Sequence, residues 1–185
     1  MMVAAIACAL VFQPVQPVAA CVDLKGRQVI PLDRSQEPKP AATVLIFYLA
    51  QCPISQKLTP EINRLYREFE PKGVRLFLVH EDLSLTNAQV RKEARSFGLQ
   101  PPIVIDKWRR QVKFSGASIS PEACIYDRDF RLVYRGRLTN LFYDLGRMRP
   151  RATKRDAHEV LTHLMEGKRL KFRHTPAVGC ILPKS

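Results

Sequence analysis

Residues 43–70 read TVLIFYLAQCPISQKLTPEINRLYREFE, and this stretch decides the fold. Thr43 to Leu49 is an unbroken run of β-branched, aliphatic and aromatic residues, the pattern of a strand covered on both faces. Ala50 and Gln51 supply a turn. Cys52 stands where a helix begins, and Pro53 follows at a first-turn position that tolerates a missing N–H. Ile54, Leu58, Ile62, Leu65 and Phe69 then recur at helical spacing and give that helix one apolar face. A thiol at a helix N-terminus feels unpaired N–H groups and the positive end of the dipole, and both favour the reactive thiolate. Cys52 is therefore a candidate nucleophile. The alternative is a small buried hydrophobe, since free cysteines are commonly buried.

The chain extends from this unit in both directions. Pro71-Lys72-Gly73 ends the helix, and Val74 to Val79 is a second buried strand. A helix between two apolar strands predicts a βαβ unit with parallel strands. Thr86 and Gln89 form a capping box for a helix over Asn87–Phe97, which Gly98 stops. Ile103–Ile105 is a short apolar segment. Asp106 can cap a short helix, Lys107–Phe114, that holds Trp108. Ser120-Pro121 leads into a strand over Glu122–Asp127, paired as a hairpin with Phe130–Leu138. Thr139–Arg151 reads as a loop, Thr153 as the cap of a last helix over Lys154–Met165, and 168–185 as a tail carrying Cys180. Before the opening stretch, Cys21–Leu32 reads as a hairpin around Lys25-Gly26.

The chain has 185 residues, enough for one ordinary domain, with 46% hydrophobic and 25% charged residues. Met1 to Ala20 has no charged side chain, and its apolar run to Phe12 is too short to span a bilayer. With Val18-Ala19-Ala20 before a cut, residues 1–20 read as a secretory signal peptide. Val18-Ala19-Ala20-Cys21 also resembles a bacterial lipobox, in which Cys21 would be the lipidated anchor. The expected location is thus exported, either periplasmic or anchored to the periplasmic side of a membrane. The net charge is +13, spread along the chain and densest from Arg147 to Arg173. Nucleic acid is not the expected partner of an exported protein. A solvated basic face, an anionic membrane surface or an acidic partner protein remain.

Of five cysteines, Cys8 lies in the leader, leaving Cys21, Cys52, Cys124 and Cys180. No pair has CxxC spacing and no histidines have HxxxH spacing, so neither a metal nor another cofactor is expected. Cys124 lies mid-strand, where core packing is its expected role.

The order of elements resembles the thioredoxin fold, with the N-terminal extension of the redoxin and peroxiredoxin-like branch. Cys52-Pro53-Ile54-Ser55 falls where that superfamily has its active-site cysteine. Pro60 matches its helix-bending proline, and Ser120-Pro121 its cis-proline facing the cysteine. The CPIS motif, Pro60-Glu61-Ile62, Tyr134–Arg137 and the terminal Val178-Gly179-Cys180 further resemble exported redoxin-domain proteins. The resemblance implies an α/β fold with a central mixed sheet flanked by helices, preceded by a β-hairpin. The domain would cover 21–167.

The departures shape the expected chemistry. The second cysteine of a thioredoxin is replaced by Ser55, so no local disulfide can form. The hydroxyl residue and proline that precede a peroxiredoxin cysteine are replaced by Leu49 and Leu45, which counts against peroxide chemistry. The expected activity is a thiol–disulfide oxidoreductase with Cys52 as nucleophile, Pro53, Ser55 and Pro121 as supports, and a protein thiol, disulfide or reductant as partner. Cys180 is the candidate resolving thiol; an inert tail thiol or a structural bond to Cys21 are its alternatives. A non-catalytic partner-binding module and a thiol peroxidase are the rival functions. Arg135, Arg137 and His80 are expected to be plain surface positions.

Overall fold

The computed structural model describes residues 20–182; the expected leader, apart from Ala20, lies outside the described residues. In chain order the elements are β1 (Cys21–Asp23), β2 (Gln28–Val29), β3 (Ala42–Tyr48), α1 (Pro53–Phe69), β4 (Val74–His80), α2 (Asn87–Ser96), β5 (Ile103–Ile105), α3 (Arg110–Ser115), β6 (Ile119–Ser120), β7 (Glu122–Asp127), β8 (Leu132–Gly136), β9 (Phe142–Asp144), β10 (Arg147–Met148), α4 (Asp156–Met165), β11 (Arg173–Thr175) and β12 (Cys180–Ile181). Among the described residues the main sheet has eight strands in the order β11-β8-β7-β3-β4-β5-β1-β2. β3, β4 and β5 are parallel, joined by the crossovers through α1 and α2, while β7 runs antiparallel to β3 and β8 to β7. This is the mixed α/β sheet that the resemblance implies.

β3 is buried along its whole length because strands flank both its edges and a core covers each face. Val44, Ile46 and Tyr48 pack with Ile62, Leu65 and Phe69 of α1 and with Val160 and Leu161 of α4. Leu45 and Phe47 point the other way, into a second core with Phe77, Val79, Val104 and Tyr126. The two-residue period of a strand makes that division. Each fully buried Leu or Ile stabilises the fold by roughly 1.5–3 kcal/mol. The two-sided burial therefore anchors the C-terminal end of β3, where Cys52 follows.

Some expectations are corrected. The short helix begins at Arg110, not at Lys107. Arg109 adopts a left-handed φ of 53°, so residues 107–109 form a turn and Trp108 is exposed on it. Asp106 still caps the helix, accepting from the N–H of Arg110 at 2.9 Å and of Gln111 at 2.7 Å. The last helix begins at Asp156. Thr153 does not cap it, because its hydroxyl accepts from the Asn140 amide at 2.8 Å. Asp156 and Glu159 put negative charge in that helix's first turn instead. Residues 139–151 are not plain loop, since β9 and β10 form a small hairpin there. His80 is buried, not a surface residue, with its Nε2 3.0 Å from the Asp82 carbonyl oxygen.

The segment after Lys168 is built onto the domain. β11 adds to the sheet edge in parallel with β8, pairing Thr175 with Gly136. A side chain at Gly136 would collide with the Thr175 backbone, so the glycine makes this edge contact possible. β12 pairs antiparallel with β6, and the Leu182 N–H donates to the Ser118 carbonyl at 2.9 Å. Leu182 itself is buried in the second core.

Candidate functional site

Cys52 occupies the N-cap of α1 with extended backbone (φ −80°, ψ 115°), and Pro53 takes the first helical position. The turn before it is held by two contacts: the Cys52 N–H donates to the Leu49 carbonyl at 3.0 Å, and the Gln56 side-chain amide to the Ala50 carbonyl at 2.7 Å. The end of β3 thus delivers the thiol to the start of the helix.

Ser120 faces this thiol. The Ser120-Pro121 peptide is cis, and the Cys52 thiol donates to the Ser120 carbonyl at 3.3 Å. The Ser120 hydroxyl accepts from the Leu49 N–H at 2.7 Å and lies 2.9 Å from the Ser55 hydroxyl. When Ser120 donates its proton to Ser55, the Ser55 proton is free to point at sulfur. Leu49 N–H, Ser120, Ser55 and Cys52 then form one polarised chain of hydrogen bonds. The Glu122 carboxylate secures the approach to Pro121 by accepting from the Ser118 N–H at 2.8 Å.

The structure brings Cys180 to the same point. In the β6–β12 ladder Cys180 lies opposite Ser120. Its side chain packs beside Cys52, Ile54 and Leu58, with Val178, Leu141 and Phe142 closing the cluster. Cys52 is left only 2% exposed. Burial opposes ionisation of Cys52, but hydrogen bonds from Cys180 and from the Ser55 N–H and hydroxyl outweigh it, and its thiol lies below the ordinary value. Cys180 goes the other way, pushed up to about 11 by burial and then by its hydrogen bond and charge contact with Cys52. The pair therefore favours a single negative charge, on Cys52.

Cys52, Ser55, Ser120 and Cys180 thus converge, with Pro121 joined to Ser120 by the cis peptide, and Pro53 starts the helix beneath them. The remaining thiols stand apart. Cys21 is wholly buried at the β1 end of the sheet, and its thiol is pushed up to about 12 by burial and then by Asp106. Cys124 is buried in the second core, and burial pushes its thiol up strongly. Arg135 and Arg137 are half-buried rather than free on the surface. Arg135 donates to the Ser115 carbonyl at 3.3 Å, and Arg137 pairs with Asp156 at 2.9 Å. Among the described residues no group of three or more His, Cys, Asp or Glu is placed to hold a metal.

Sequence reasoning missed the Ser120 hydroxyl, although its position next to Pro121 marked it. It also missed the wall formed by Leu141 and Phe142, which no local motif signals.

No protein-family profile matches the chain, and no curated protein matches it. Solved structures do. An uncharacterised conserved protein from Geobacillus kaustophilus is 24% identical with a TM-score of 0.71, covering 90% of this chain and 88% of its own. A hypothetical protein from Sinorhizobium meliloti is 20% identical with a TM-score of 0.68, covering 88% of each chain. The thioredoxin domain of a thiol-disulfide oxidoreductase from Bacteroides vulgatus is 21% identical with a TM-score of 0.52, covering 63% of this chain and 83% of its own. At these identities the likeness is one of architecture, and it agrees with the mixed sheet and its strand order: the chain has the thioredoxin-like fold.

Proposed function

We propose that this protein is an exported thiol–disulfide oxidoreductase of the redoxin type, with Cys52 as nucleophile and Cys180 as resolving thiol. The observation that carries this reading is the placement of Cys180 against Cys52 by β12. That placement supplies from the C-terminal segment the second thiol that Ser55 denies the helix.

In the reducing direction, the Cys52 thiolate attacks one sulfur of a partner disulfide. The partner's S–S bond breaks, its other sulfur leaves as thiolate, and a mixed disulfide with Cys52 forms. Cys52 has then lost its negative charge. The contact that held the Cys180 proton is relieved, and Cys180 can ionise and attack the Cys52 sulfur. The partner's second sulfur leaves, and a Cys52–Cys180 disulfide remains. The partner gains two electrons and the two protons that the cysteines gave up. A dithiol reductant restores the resting pair, and the oxidising direction runs the same steps in reverse.

Arg135 and Arg137 are engaged with Ser115 and Asp156, and Leu49 stands at the hydroxyl position of peroxiredoxins. Both observations favour disulfide chemistry over peroxide chemistry. Export rests on the uncharged apolar stretch at residues 1–20. The test is reduction of a protein disulfide coupled to a dithiol reductant, with Cys52→Ser and Cys180→Ser as controls. Turnover that survives Cys52→Ser would remove the reading.

A further inference from the structure

The nucleophile that the proposed function needs is sealed. With Cys52 2% exposed beneath Val178, Cys180 and Phe142, no protein disulfide can reach its sulfur while β12 is in place. For Cys52 to meet a protein partner, β12 must lift.

What lifting exposes is defined by the ladder. β6 loses its antiparallel neighbour at Ile119 and Ser120 and becomes a free strand edge running past the sulfur. An unpaired edge is a template for an added strand, with main-chain hydrogen bonds giving affinity and side-chain positions giving selectivity. Three features indicate that β12 can be exchanged. Its ladder is two residues long, Ile181 is 72% exposed, and beyond the ladder its anchors among the described residues are the packing of Val178 and Cys180 in the thiol cluster, the Leu182 side chain and the Leu182 N–H bond to Ser118. A segment held by so short a ladder opens below the free energy of global unfolding.

The residue before Cys180 sets the selectivity. A side chain at Gly179 would collide with the Ser120 carbonyl, the same oxygen that accepts from the Cys52 thiol. A strand that presents its cysteine to Cys52 in this register must therefore carry glycine immediately before it.

We infer that β12 is the chain's own stand-in for its substrate: the seat beside β6 takes an extended polypeptide strand whose disulfide-bonded cysteine follows a glycine, and β12 must leave to admit it. This rests on the thiol–disulfide reading above and names the substrate class for it. Strand exchange and chemistry are then coupled. The incoming strand places its disulfide on Cys52, the S–S bond passes to Cys52, and the strand's former partner sulfur leaves as thiolate. The return of β12 expels the strand's backbone from β6 and brings Cys180 to the Cys52 sulfur. Attack there transfers the bond to Cys180 and releases the substrate thiolate, which takes up a proton. Reseating the strand and resolving the mixed disulfide are one movement.

The experiment uses Cys180→Ser protein, in which mixed disulfides accumulate on Cys52. The probes are a peptide with the sequence of residues 176–182 and its counterpart with alanine in place of the glycine, each blocked at cysteine by a chromogenic aromatic thiol. Release of the chromophore reports capture. Capture of the glycine peptide is expected to be faster by about tenfold or more, the factor set by 1.4 kcal/mol. Adding Gly179→Ala, which pushes β12 off β6, is expected to accelerate capture of the glycine peptide again. Hydroxyethyl disulfide, too small to need a strand seat, is the reference. If it labels Cys52 but the two peptides are captured equally fast, the strand seat is wrong and the nucleophile stands. If it fails to label Cys52 in every variant, the thiol–disulfide reading itself fails and takes this inference with it. The peptide comparison needs only the Cys180→Ser protein, so misfolding of the Gly179→Ala variant would not rescue the idea.

Discussion

Cys180 and Ser120 face each other across the β6–β12 ladder, and the Ser120 carbonyl, which lies against Gly179, also accepts from the Cys52 thiol at 3.3 Å. One backbone position therefore governs both thiols. It holds the Cys52 thiol on one side and the strand bearing Cys180 on the other, so the seating of β12 and the surroundings of Cys52 are linked.

The acidity of Cys52 depends on its neighbours. Burial opposes ionisation, whereas Cys180 and Ser55 favour it, and the balance lies below the ordinary thiol value. Ser55→Ala and Cys180→Ala should each move the midpoint of iodoacetamide labelling at Cys52 to higher pH, and the double variant further still. Midpoints unchanged in all three would show that the helix N-terminus alone sets the acidity.

Mild oxidation should join Cys52 to Cys180 and leave Cys21 and Cys124 as thiols. Both of the latter are buried, with burial holding them protonated at neutral pH. Peptide mapping by mass spectrometry after blocking free thiols checks this. A Cys21–Cys180 bond would contradict the arrangement of β12.

Ser120→Ala should weaken the fold and the site together. It strands the Leu49 N–H, which donates to the Ser120 hydroxyl at 2.7 Å. An unsatisfied donor of this kind costs about 1–3 kcal/mol, readable as a lower urea midpoint at unchanged slope. It also cuts the relay through Ser55, so the Cys52 labelling midpoint should rise.

A buried carboxyl away from the site should set the pH dependence of stability. Glu81 is 1% exposed, and its carboxyl is pushed up to about 8 by burial and then by Asp106, against the pull of Arg109. Asp106 is also raised, by burial despite the N–H groups it caps. The folded protein thus holds a proton on Glu81 that the unfolded chain gives up near 4.5. That contribution is complete below about pH 4.5 and is lost as pH rises through about 8, by an amount on the order of a few kcal/mol. Glu81→Gln should flatten the decline in thermal midpoint across that window. An equally steep decline in the variant would shift the cause elsewhere.

Leu65→Ala provides a control for the core. Leu65 is fully buried between α1 and β3, so its loss should cost about 2–5 kcal/mol. The Cys52 labelling midpoint should not move under native conditions, because Leu65 does not touch the thiol pair.

Local pattern alone located most of the elements. The apolar run of β3, the helical spacing from Ile54 to Phe69, the Thr86–Gln89 box and the Lys25-Gly26 turn are short-range signals, and the structure carries each of them. The boundaries that moved are those where a distant group competes for a local role. Thr153 could not cap α4 because Asn140 holds its hydroxyl. His80 ended up buried because the loop after β4 folds back over it and offers the Asp82 carbonyl.

Residues 43–70 by themselves determined that a thiol would sit at the head of a helix, on the end of a strand buried on both faces, because periodicity and the position of Pro53 are properties of the chain. They also showed through Ser55 that no second thiol stands in the first turn of that helix. The sequence offered Cys180 as one candidate among alternatives; that it lies against Cys52 was decided only in three dimensions. Cys180 reaches Cys52 because Gly179 lets β12 close against Ser120, and Leu182 fills a gap in the second core. Those contacts span more than fifty residues of sequence. Nothing in the spacing of five cysteines encodes them, since a long-range contact of this kind is fixed by backbone clearance and not by period.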